Sequence, residues 1–282
     1  MQMRQKSFLG LSPAGFHRIA YTEWGDPTTS RVIVCCHGLT RNGRDFDALA
    51  SELAREARVI CPDIVGRGSS AWLRDPAHYG YPQYCADMSA LIARLDVAEL
   101  DWVGTSMGGL IGMTLAAQAG TPIRRLVIND VGPFVPKAAL LRIADYVGLD
   151  NRFSSLTAIQ THLKKVLAPF GPLTEAQWQH IVAYGHRRRE DGTFGLAYDP
   201  AIAVNVKMAV QDWDLWTLWD RISVPTLVLR GAESDLLLPD TAEEMTRRGP
   251  RAKLVTWPGM GHAPALMAED QIDVVKEWLT AN

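Results

Sequence analysis

Nowhere in the 282 residues does an apolar run approach the roughly 18 that a membrane-spanning helix requires. The opening MQMRQKSFLGLSPAGFHR has no apolar stretch of the length a secretory leader carries behind its charges. These absences predict a cytoplasmic chain with no membrane partner. Excess charge of either sign is missing too. Lys and Arg total 29 against 31 Asp and Glu, a formal net charge of −2, so no field gathers a polyanion and nucleic acid is not an expected partner. Cysteine is scarce. Cys35, Cys36, Cys61 and Cys85 form no C-x-x-C pair and sit with no histidine cluster, and three of them fall in or beside strand-like apolar runs. They read as buried free thiols of a reducing compartment, with neither disulfide nor metal. Internal repeats and low-complexity tracts are lacking as well.

What is present is an ordinary globular composition, 47% hydrophobic, ample to fill one large core. Apolar runs of four to six residues recur, each ending in glycine, proline or a small polar residue: RVIVCCHG (31–38), RVICPDIVGRG (58–68), LDWVGTSMGG (100–109), RRLVIND (124–130), TLVLRGAES (226–234) and AKLVTWPG (252–259). Such β-branched runs predict strands buried on both faces of a parallel sheet. Helical patterns lie between several of them. In CADMSALIARLD, Met88, Leu91, Ile92 and Leu95 follow the i, i+3, i+4, i+7 spacing of one helix face. The alternation predicts a doubly wound, mostly parallel α/β sheet, whose ligands sit at the carboxyl ends of the strands. It breaks between Pro133 and Asp220, where KAALLRIADYVG, SLTAIQTHLKKVLAPF and TEAQWQHIVAYG read as helices. The expected organisation is therefore a core built from residues 1–132 and 221–282, with residues 133–220 inserted as a helical cap over the strand ends.

One stretch places a serine among glycines, GTSMGG. Trp102 and Val103 precede it in strand context, and Met107, Gly108, Gly109, Leu110 and Ile111 open a helix after it. A strand–turn–helix of this kind lifts a serine clear of its backbone, provided that the residues two before and two after it are small enough for strand and helix to approach. A serine hydroxyl at neutral pH needs a base, and the base needs an orienting carboxylate. Downstream, GAESDLLLP presents Asp235 past one predicted strand, and PGMGHAPAL presents His262 past another. The order Ser106, Asp235, His262, each just beyond a strand's carboxyl end, points to acyl transfer with a Ser-His-Asp triad. Asp130, one strand earlier on the same edge, is a competing acid, and Asp240 a weaker one. Two donors for a developing oxyanion are expected from the backbone N–H groups of Met107 and of Leu39, in the loop HGLTRNG. His37 reads as a structural residue of that loop.

HGLT, PDIVGRGSS, GTSMGG, GAESDLL and GMGHAP together resemble the α/β-hydrolase superfamily over essentially the whole chain. Within it the sequence is most similar to cytosolic carboxylesterases and to hydrolases of short polyesters or hydroxyacid oligomers. Enol-lactonases and meta-cleavage C–C hydrolases are near relatives. The resemblance implies hydrolysis of a small ester through an acyl-enzyme, in a monomer or homodimer needing no cofactor and no metal. The serine nucleophile disfavours the aspartate-dependent dehalogenases and epoxide hydrolases of this fold, but leaves its cofactor-free oxygenases and haloperoxidases open. A receptor that keeps the fold for binding alone is the reading from another class. Three side features carry expectations of their own: Trp213, Trp216 and Trp219 as a helical stripe packing cap on core, Arg41 as a solvated arginine, and HRRRE (186–190) as a solvated cap face.

Overall fold

The computed structural model describes residues 3–281. Eight strands form one sheet: β1 (Met3–Ser12), β2 (Gly15–Trp24), β3 (Val32–Cys36), β4 (Arg58–Pro62), β5 (Leu100–Thr105), β6 (Ile123–Asn129), β7 (Thr226–Gly231) and β8 (Lys253–Trp257). Their spatial order is β1-β2-β4-β3-β5-β6-β7-β8. From β4 to β8 every pairing is parallel. These six strands are the six apolar runs of the sequence. All five residues of β3 are buried, as a strand covered on both faces must be.

The amino-terminal hairpin is the part that composition did not announce. β1 and β2 pair antiparallel, and β2 joins the sheet antiparallel to β4. In the second half of β1 buried and exposed residues alternate, with Phe8 inside and Leu9 and Leu11 facing out. A strand covered on one face is half polar and yields no continuous apolar run.

Ten helices accompany the sheet among the described residues: α1 (Asp47–Leu53), α2 (Tyr81–Leu95), α3 (Met107–Ala116), α4 (Lys137–Tyr146), α5 (Leu156–Val166), α6 (Glu175–Gly185), α7 (Ala203–Met208), α8 (Trp216–Trp219), α9 (Pro239–Met245) and α10 (Glu269–Thr280). Met88, Leu91 and Leu95 of α2 pack with Ile111 and Met113 of α3 on one face of the sheet. Leu49 and Leu53 of α1 and Val275 and Leu279 of α10 pack on the other. The sheet is doubly wound.

Between β6 and β7 the chain leaves the sheet and runs through α4 to α8. Ala139, Leu140 and Ile143 of α4 join the main core. By contrast α5 and α6 pack around a separate cluster that includes Ile159, Leu163, Trp178, Ile181 and Val182. Thr174 and Gln177 close a capping box at the start of α6, and Ser155 caps α5.

Candidate active site

Ser106 ends β5 and begins α3 with φ 52° and ψ −114°, a conformation in which non-glycine residues are rarely found. The turn is tight enough to dictate its neighbours. A Cβ on Gly104 would lie 2.2 Å from the Gly108 carbonyl oxygen, and one on Gly108 would lie 2.0 Å from that of Cys36. Trp102, buried in β5, fixes the same crossing by donating its indole N–H to the Gly108 carbonyl at 3.0 Å.

His262, in the loop after β8, brings Nε2 to 3.0 Å from Ser106 Oγ. Its Nδ1 lies 2.7 Å from a carboxylate, and that carboxylate belongs to Asp130. With Asp130 as acceptor, Nδ1 carries the proton and Nε2 is free to accept from the serine hydroxyl. Asp130 stands directly after β6 and is fully buried. Its other contacts hold it still: the Gly231 N–H donates to Oδ1 at 2.9 Å, and the Ser234 hydroxyl to Oδ2 at 2.6 Å.

The expectation for Asp235 is therefore corrected. Asp235 follows Ser234 in the loop after β7, but its side chain is 49% exposed and pairs with Arg142 of α4 at 2.5 and 2.8 Å. Ser234 takes the inward position, and the next residue turns to solvent. Asp240 lies exposed in the first turn of α9. Two residues that sequence reasoning passed over complete the frame. Ser234 is one. The other is Asn129, the last residue of β6, whose side-chain N–H donates to the Pro264 carbonyl at 2.8 Å and so ties down the loop that carries His262.

On the other side of the serine, the loop after β3 is set by His37. The His37 Nδ1–H donates to the Gly38 carbonyl at 2.7 Å, the Arg41 N–H donates to the same oxygen at 3.1 Å, and Nε2 accepts the Ile64 N–H at 2.9 Å. The carbonyl of Gly38 and the N–H of Leu39 belong to one trans peptide and point in opposite directions. Fixing the carbonyl aims the N–H away from His37. Among the described residues, neither the Leu39 nor the Met107 N–H has a hydrogen-bond partner within the protein. Burial holds the His37 imidazole down at about 4, well below the usual histidine value, so it is neutral. Asp63 braces the same region by accepting from the Gly43 and Ser69 N–H groups, with burial pushing its carboxyl up to about 6.

Two cavities meet at Ser106. One, of 70 Å³, is lined by His262 together with Arg41, Asp45, Arg142, Tyr146 and Phe170 among others. The second, of 170 Å³, is apolar and includes Met107, Leu110, Val131, Leu140, Trp213 and Leu236 in its wall. Arg41 is not the solvated arginine expected: it is buried and its guanidinium forks onto Asp45 four residues on. Nor do the three tryptophans share one helix. Trp213 lies in a two-residue ribbon strand facing Tyr81, Trp219 is buried with its indole donating to the Arg248 carbonyl, and Trp216 stacks under the Arg248 guanidinium. In the HRRRE stretch Arg187 stacks on Trp72, so that face is not simply solvated. The four cysteines are free thiols, three of them fully buried. No grouping of three or more metal-ligating side chains occurs among the described residues.

Comparison with known proteins agrees with this architecture. Residues 33–277 match the alpha/beta hydrolase family. The chain is 47% identical to a 3-hydroxybutyrate-oligomer hydrolase of Cupriavidus necator, over 96% of this chain and 95% of that one. It is 27% identical to a 2-(acetamidomethylene)succinate hydrolase of Mesorhizobium japonicum, over 80% of this chain and 79% of that one. A solved α/β hydrolase of Novosphingobium aromaticivorans superposes with a TM-score of 0.87 at 35% identity, covering 98% of both chains. The chain belongs to the α/β-hydrolase family and is a hydrolase, as its motifs implied.

Proposed function

We propose that the protein is a serine ester hydrolase acting on short oligomers of a small hydroxyacid such as 3-hydroxybutyrate. The observation that carries this reading is the contiguous relay from Ser106 Oγ to His262 Nε2 and from His262 Nδ1 to buried Asp130. His262 takes the serine proton as Ser106 attacks the ester carbonyl, and Asp130 holds the imidazole in the needed tautomer and stabilises its cation. The N–H groups of Leu39 and Met107 hold the oxyanion. His262 then returns the proton to the leaving alcohol and activates the water that frees the acyl chain. No step needs a cofactor. Residues 133–220 act as a cap that shapes the acyl and alcohol sites, a role supported by Ile143, Tyr146, Val166 and Phe170 in the wall beside Ser106.

The choice of hydroxyacid oligomers rests on the relative that is 47% identical along nearly its whole length. Cytoplasmic work fits the free thiols and the absence, among the described residues, of any helix long and apolar enough to cross a membrane. A complete relay argues against a receptor without turnover. The test is acid release from p-nitrophenyl butyrate and from a 3-hydroxybutyrate trimer by the wild type and by S106A. Loss of turnover by about 10⁴-fold or more in a folded S106A protein supports the reading. Retention of activity in S106A, or no turnover of either ester by the wild type, overturns it.

A further inference from the structure

The two cavities at Ser106 differ in chemistry, and the position of His262 tells which end of the substrate each receives. His262 must hand its proton to the leaving oxygen, so the alcohol half lies on the imidazole's side. His262 lines the smaller cavity and is not in the wall of the larger one. The apolar cavity therefore takes the acyl half and the smaller one the alcohol half.

The alcohol cavity holds three charged side chains besides the relay itself. Arg41 and Asp45 are forked onto each other and cancel. Arg142 is left over. Its counter-ion, Asp235, is half exposed and lies outside the cavity wall, and the guanidinium's other polar neighbour is the Tyr146 hydroxyl, which lines the wall. The wall thus presents one cation that no carboxylate of the wall matches, paired instead with a half-exposed carboxylate outside it, beside Tyr146 in a space of 70 Å³. An exposed ion pair is weak enough to exchange partners, whereas a planar guanidinium grips a carboxylate in a defined orientation.

Building on the ester hydrolase reading, we infer that Arg142 binds a free carboxylate on the leaving alcohol, so the enzyme removes hydroxyacid units one at a time from the carboxyl end of an oligoester. The Ser106 oxygen bonds to the carbonyl carbon of the last ester and the bond from that carbon to the terminal hydroxyacid's oxygen breaks. The proton taken from Ser106 passes through His262 to that oxygen, releasing a free hydroxyacid that still bears its carboxylate. Water then splits the acyl-enzyme, and the shortened chain leaves with a new terminal carboxylate, which makes it a substrate again.

The experiment compares a linear 3-hydroxybutyrate trimer with its methyl ester at the carboxyl end, and with p-nitrophenyl butyrate, in the wild type, R142Q and D235N. The wild type should prefer the free acid. R142Q should lower kcat/KM for the free acid by about 10- to 100-fold, chiefly through KM, the size of a charged hydrogen bond. The two neutral esters should change by less than about threefold, and D235N should keep the preference for the acid, since only the counter-ion is lost. Equal losses on acid and methyl ester in both variants would mark the pair as a strut and overturn the inference. So would a wild type indifferent to the methyl group. A trimer labelled in its hydroxyl-end unit tests direction in the wild type alone: unlabelled monomer must appear first, and labelled monomer appearing first refutes it. Inactivity of the wild type on every ester is the separate failure of the hydrolase reading.

Discussion

The carboxyl edge of the sheet and the segment that crosses it between β6 and β7 are held by different means. At the edge, the polar groups of the site are fixed by close neighbours: Asp130 by Gly231 and Ser234, the His262 loop by Asn129, and the Leu39 peptide by His37 of its own loop, which Ile64 beyond β4 holds in turn. In the crossing segment α5 and α6 pack around a small cluster that takes in Met267, and the segment meets the edge through side chains and loops: Gln177 on the Met267 carbonyl, the Pro169 carbonyl on the Gly261 N–H, and the partly exposed pair of Arg142 with Asp235. Preorganised dipoles belong where charge develops, because reorganising them during reaction is what raises a barrier. Shape and selectivity tolerate a looser frame. On the proposed function, the division puts chemistry in the sheet and choice of substrate in the crossing segment.

The sharpest way to break that division is to exchange the two aspartates. D130N should lower kcat by about 10⁴-fold on any ester, since an amide at that position no longer stabilises the imidazolium and favours the wrong tautomer. D235N should cost at most a few-fold. Steady-state rates with p-nitrophenyl butyrate check both, with circular dichroism to show that each variant folds. A deep loss in D235N with a mild one in D130N would return the acid to the loop after β7.

How much of this was legible in the string of residues depends on what a residue's role requires. Ser106 needs small neighbours at fixed spacing, and the glycines at 104 and 108 announce it. His262 needs only to stand beyond a strand, and the run Lys253–Trp257 places it there. The acid was ambiguous because Asp130 and Asp235 both follow strands, and no one-dimensional pattern says which carboxylate loses its water. That is settled by Ser234, whose hydroxyl fills the inward position beside Asp130 and leaves the next side chain outside. Arg41 was misread for a related reason. Asp45 lies four residues on, within reach for a fork, but burial of the pair depends on α6 passing over it, near Gly185. The hairpin β1–β2 escaped notice because an alternating strand with one wet face looks like a polar tail.

His37 offers a smaller effect that bears on the edge alone. Its folded pKa, about 4, lies below the value of an exposed histidine, so the native state holds it neutral while the unfolded chain protonates it. The stability due to the neutral ring is fully present above pH 6.5 or so and is lost as pH falls towards 4. The stability gap between wild type and H37Q should accordingly narrow by about 3 kcal/mol between pH 7 and pH 4. Asp63 shifts the other way in the same window, but it is present in both proteins, so the difference isolates His37. Urea unfolding at several pH values measures it. A gap that stays constant with pH would mean that the ring takes up its proton in the fold as readily as outside it, and that the edge is less rigid than its hydrogen bonds suggest.

The smallest effect sharpens the other half of the comparison. Trp213 reaches the apolar cavity at Ser106 from the crossing segment and meets Tyr81 edge to face, with ring centroids 5.8 Å apart. Removing the indole in W213A lengthens the cavity without touching the relay. Each methylene of a substrate that gains or loses apolar contact is worth about 1 kcal/mol in such a site. The ratio of kcat/KM for the octanoate over the butyrate p-nitrophenyl ester should rise by about 10-fold in W213A, while kcat on the acetate stays within about twofold. A uniform fall across all three chain lengths would mean that Trp213 supports the edge as well as the pocket. The separation of chemistry from selectivity would then fail at a residue by which the crossing segment lines the apolar cavity.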